Sequence, residues 1–118
     1  MTSEEHEGSA AIRRTLDPDD LEKIVRQIVE IAEPERIILF GSAAREEMGP
    51  HSDVDLLVIK SGDYSRRDLA AQIYTQLDVD EAVDVVLATP EDLERYRDSF
   101  ALVYYPALRE GREIYRAT

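Results

Sequence analysis

Three short apolar runs, Arg36–Phe40, Asp53–Ile59 and Ala82–Ala88, stand apart along the chain, separated by stretches with helical spacing. Runs of this length are strands, and strands alternating with helices give one α/β or α+β domain. Asp17 is a helix cap, Pro18 suits the first helical position, and Leu21, Ile24, Val25, Ile28 and Ile31 follow on one face until Pro34. Ala43–Met48 favours a short helix ended by Gly49-Pro50. Ser65 caps a helix carrying Leu69, Ala70, Ile73, Tyr74 and Leu77, and Thr89-Pro90-Glu91-Asp92 opens another that runs to about Asp98. Ser99–Arg109 is expected to be helical with a break at Pro106, and Arg112–Tyr115 to be a terminal strand. Residues 1–15 are polar and aperiodic, so a flexible tail is expected there, with a single domain over 16–118.

The 118 residues leave room for one domain only. A net charge of −12 opposes general nucleic-acid binding and adsorption to anionic membranes, both of which need a basic surface. The absence of cysteine excludes disulfides, thiolate metal sites and a cysteine nucleophile. No apolar run approaches a membrane span, and the acidic N-terminus lacks the basic start and apolar core of a signal peptide. A soluble cytoplasmic protein is expected.

The chemistry is concentrated between residues 41 and 59. Asp53 and Asp55 are two apart on an expected strand, so their side chains share a face and can converge on a hard cation such as Mg²⁺. By itself the pair is more simply a solvated strand mouth. Gly41-Ser42 follows a strand and precedes a helical stretch, which aims main-chain N–H groups and a hydroxyl at one point. By themselves those two residues are more simply an ordinary strand-to-helix turn with Ser42 as its cap. Arg45 is placed either to reach a phosphate or to pair with a neighbouring acid. Asp84 stands alone in an apolar strand, where it joins Asp53 and Asp55 if the two strands are adjacent, or else lies exposed at a strand end. His51 follows Gly49-Pro50 in an expected exposed turn, His6 belongs to the tail, and Tyr104, Tyr105 and Tyr115 suit a core or an interface.

Gly41-Ser42, ten intervening residues and Asp53-x-Asp55 resemble the signature of the DNA polymerase β-like nucleotidyltransferases, most closely its minimal nucleotidyltransferase branch. Arg45 and Ser52 stand where that branch often has Arg and Ser, and Asp84 matches its third, separate acid. The resemblance covers roughly residues 20–116. It implies a small mixed sheet flanked by helices, with two Mg²⁺ ions on Asp53, Asp55 and Asp84. It also implies ATP or another nucleoside triphosphate held by Gly41, Ser42, Arg45 and Ser52. One departure is Glu46, at a position that is commonly glycine in the family. With Glu47 it adds negative charge, harmful to nucleotide binding if directed inward and harmless on the outer face.

The same branch resembles the antitoxin half of HEPN–MNT toxin–antitoxin pairs. This implies an adenylyltransferase that modifies a tyrosine of a HEPN ribonuclease toxin, its protein partner. A non-catalytic antitoxin acting by contact, and a transferase acting on a small molecule, are the alternatives.

Overall fold

A computed structural model describes residues 14–96 and 109–118. Its elements are α1 (Pro18–Ala32), β1 (Arg36–Phe40), α2 (Gly41–Ala44), β2 (Val54–Ile59), α3 (Arg66–Gln76), β3 (Val83–Ala88), α4 (Pro90–Tyr96) and β4 (Arg112–Arg116). The strands form one sheet in the order β3-β2-β1-β4. β1 is antiparallel to both β2 and β4, and the crossover through α3 makes β3 parallel to β2, giving the mixed sheet expected.

β2 is apolar on both faces because both faces are covered. Val54, Leu56 and Val58 pack with Ile24 and Ile28 of α1 and Ile73 of α3, all buried. Leu57 and Ile59 face the other way, against Ile38, Phe40, Ala88 and Leu93 of α4. Fully burying side chains of this size stabilises the fold by about 1.5–3 kcal/mol each, an upper estimate.

The expected caps form. Asp17 accepts the Asp19 N–H at 2.9 Å, and Ser65 accepts that of Asp68 at 3.1 Å. Thr89 and Asp92 bond reciprocally, the Asp92 N–H to Thr89 Oγ1 at 3.1 Å and the Thr89 N–H to Asp92 Oδ2 at 3.0 Å. Burial alone would raise the Asp92 carboxyl, but its bonds to Thr89 and the Arg66 guanidinium hold it below the ordinary 3.8. Its stabilising contribution is therefore present above that value and lost as pH falls through the lower folded-state value. Asp92→Asn is expected to cost about 1 kcal/mol at neutral pH. In urea unfolding, the gap from the native chain should shrink below pH 3.8.

Several boundaries differ from the sequence expectation. Asp53 lies just before β2, because residues 49–52 form a turn closed by the Ser52 N–H to the Gly49 carbonyl at 3.3 Å. The ladder starts one residue later, with the Val54 N–H on the Ala82 carbonyl at 2.8 Å, and Ala82 itself lies outside β3. The helix expected over Ala43–Met48 is instead Gly41–Ala44, and β4 continues one residue further, to Arg116. Arg14, placed in the tail from sequence, bridges Met48 and donates to the Gly49 carbonyl at 3.1 Å and the Ser52 carbonyl at 2.9 Å; it also pairs with Glu81. The rest of the expected tail up to residue 13, and residues 97–108 with most of the helix expected at Ser99–Arg109, lie outside the described residues. Among the described residues no helix is long and apolar enough to cross a membrane.

Candidate active site

The register of the sheet brings the acids together. Asp55 pairs with Phe40 of β1 on one side and with Asp84 of β3 on the other, so the two carboxylates lie on neighbouring strands and the same face. Asp53 and Asp84 are exposed, whereas Asp55 is half-buried. Burial pushes the Asp55 carboxyl above its ordinary value, and the charges of Asp84 and Asp53 push it further. Arg45 opposes the rise. The chain has thus assembled negative charge where its own cations only partly balance it.

Gly41 follows Phe40 directly and has φ +73°. A Cβ at this position would stand 2.2 Å from Asp55 Oδ2. Glycine is required here twice over, by the left-handed backbone and by the carboxylate that occupies the space of a side chain. Ser42 is half-buried in the first turn of α2, whose leading N–H groups have no partners within the helix.

The other two sequence candidates have local partners. Arg45 Nε pairs with Glu47 at 3.0 Å, and its Nη1 lies 3.9 Å from Glu110. The Ser52 hydroxyl accepts the Gly49 N–H at 2.8 Å and fastens the turn before Asp53. His51 is exposed in that turn, as expected. Among the described residues no group of three or more Asp, Glu, His or Cys side chains is gathered closely enough to hold a metal ion. The acids form an open set rather than a closed cage.

At the end of α2 the backbone itself favours glycine at position 46. The Glu47 N–H reaches the Ser42 carbonyl at 2.8 Å and the Glu46 N–H the Ala43 carbonyl at 3.2 Å, while Glu46 itself has φ +58°. This is a Schellman motif with glutamate at the left-handed position where glycine is preferred. Both Glu46 and Glu47 are exposed. Glu46→Gly is expected to raise stability by about 1 kcal/mol, measured by chemical denaturation, because it removes left-handed strain from a non-glycine residue.

Sequence reasoning missed Tyr74. The sequence placed it among the apolar residues of α3 beside Ile73 and gave it no role, whereas Ile73 is fully buried and Tyr74 is 47% exposed. Its hydroxyl lies 3.3 Å from Asp84 Oδ1 and accepts the Val85 N–H at 2.7 Å. Burial raises the phenol above its ordinary value; the Val85 bond opposes this and Asp84 adds to it, so the hydroxyl remains a donor at neutral pH. Adjacent Ile73 and Tyr74 cannot both face the core of a one-sided helix, but the sequence does not say which of them does.

A sheet carrying register-paired acids beside a glycine turn is the frame of a nucleotidyl-transfer domain, and the chain belongs to that family: the nucleotidyltransferase domain model matches residues 19–108. No curated protein matches the chain. Two mutant forms of the toxin–antitoxin MntA-HpeT share its fold. One has a TM-score of 0.54 at 19% identity, covering 87% of this chain and 76% of that one. The other has a TM-score of 0.52 at 22% identity, covering 88% and 76%. A nucleotidyltransferase from Sulfolobus solfataricus is similar at a TM-score of 0.50 and 18% identity, over 86% of this chain and 90% of that one.

Proposed function

We propose that this nucleotidyltransferase is the antitoxin of a two-component pair and transfers AMP from ATP to a tyrosine of a HEPN-type ribonuclease partner. The observation that carries the transfer chemistry is the pairing of Asp55 with Asp84 beside Gly41, whose missing side chain leaves room for the Asp55 carboxylate. The toxin–antitoxin naming of the MntA-HpeT structures supports the antitoxin role.

The donor set fits Mg²⁺ in the form that ion prefers, with one or two carboxylates completed by substrate phosphates and water. Asp53 and Asp55 would hold it, with Asp84 alongside, and the uncompensated charge at Asp55 favours a cation there. When bound, the ions supply charge neutralisation to the triphosphate and the departing pyrophosphate. Gly41 and Ser42 orient the outer phosphates through main-chain N–H groups. Asp84, exposed beside Asp55, accepts the proton of the incoming hydroxyl. Positioning and charge compensation account for most of the rate in such a site.

The test is incubation with α-labelled ATP, Mg²⁺ and a HEPN-type protein encoded beside this chain. Label is expected on a partner tyrosine and is expected to vanish with Asp53→Asn and Asp55→Asn. An unlabelled partner that is nonetheless inhibited, equally by the double variant, would instead establish an antitoxin acting by contact.

A further inference from the structure

Val85 belongs to β3, an edge strand of the sheet, where a main-chain N–H turned away from β2 has no ladder partner among the described residues. The Tyr74 hydroxyl from α3 meets the Val85 N–H at 2.7 Å. With one lone pair engaged by that donor, the phenolic proton is left for an acceptor. Asp84 Oδ1 at 3.3 Å is nearer than the Val85 carbonyl at 3.5 Å, and it carries the charge. A bond of this length before substrate binds is ordinary for groups that tighten in the reacting complex.

We propose that Tyr74 is the positioning residue for Asp84, a phenol locked to the β3 edge by the Val85 N–H and holding the carboxylate by its proton. The role rests on the transfer reading above, in which Asp84 receives the acceptor's proton. Through it, the last turns of α3 set the aim of a group in the site while the nucleotide-holding residues on β2 and α2 are left alone. Tyr74 touches no reacting atom in this account, so its loss should slow the chemical step and spare nucleotide binding.

The experiment compares the full chain with Tyr74→Phe and with Ile73→Val, which loosens the same helix without touching Asp84. With ATP, Mg²⁺ and an acceptor protein, Tyr74→Phe is expected to lower kcat roughly ten- to a hundredfold with KM for ATP changed less than about twofold. Ile73→Val should leave kcat near that of the native chain. Independently of activity, the carboxyl ¹³C resonance of Asp84 should shift in Tyr74→Phe while those of Asp53 and Asp55 stay in place. An unmoved Asp84 resonance, or an equal loss of kcat in Ile73→Val, overturns the proposal. If the native chain transfers nothing to any acceptor, the transfer reading fails, and the resonance alone then decides whether Tyr74 holds Asp84.

Discussion

Gly41→Ala is expected to reduce nucleotidyl transfer by about a hundredfold or more and to lower stability by about 2 kcal/mol. The two losses have different origins. The stability loss comes first from the backbone: φ is +73° at Gly41, a conformation in which an L side chain is strained. The activity loss comes from the new methyl group, which would overlap Asp55 Oδ2 at 2.2 Å and lie 3.2 Å from its Cγ. The carboxylate is the movable partner, so it turns away and leaves the position opposite Asp84. A double-mutant cycle separates the two causes. In an Asp55→Ala background the overlap with the carboxylate is gone and only the backbone strain remains. Gly41→Ala should therefore cost about 1 kcal/mol less stability there than in the native chain, by urea unfolding. Equal costs in both backgrounds would show that Asp55 does not press on Gly41.

The features legible in the sequence are those carried by local chemistry. Asp17, Ser65 and Thr89 announce helix starts because a cap bonds to main-chain groups two or three residues away. The apolar content of β2 announces burial on both faces, and the central place of β2 between β1 and β3 bears this out. The spacing from Gly41-Ser42 to Asp53 and Asp55 pointed to one end of the sheet, since the turn follows Phe40 of β1 and Phe40 pairs with Asp55 of β2. Distant partners were invisible. Arg14 reads as one more polar residue of a tail because its carbonyl and carboxylate partners lie 35 to 67 residues further along. Tyr74 followed the helical apolar pattern, and only the packing of α3 against the sheet shows that Ile73 takes the buried place. Glu46 was noticed as a departure of charge, whereas its consequence is conformational, a left-handed residue closing α2.

Asp55→Asn is expected to make the protein more stable while abolishing transfer. In the native chain, burial and then the charges of Asp84 and Asp53 hold the Asp55 carboxyl above its ordinary 3.8. A carboxyl raised on folding takes up its proton more readily in the folded state. Its ionisation therefore costs stability as pH rises from 3.8 through the higher folded value, and the cost persists at neutral pH. Asparagine keeps the shape and removes the charge. Without divalent ions at neutral pH, Tm should rise slightly, and the difference from the native chain should vanish in acid below 3.8. On the proposed reading, adding Mg²⁺ with ATP should reverse the ranking, because a ligand that binds only the folded state stabilises it by mass action and the variant site would bind it less. Thermal unfolding with and without Mg²⁺ and ATP measures both effects. A lower Tm for Asp55→Asn in the absence of ions, or equal stabilisation of both proteins by the ions, would show that Asp55 is held by the fold rather than strained by it for function.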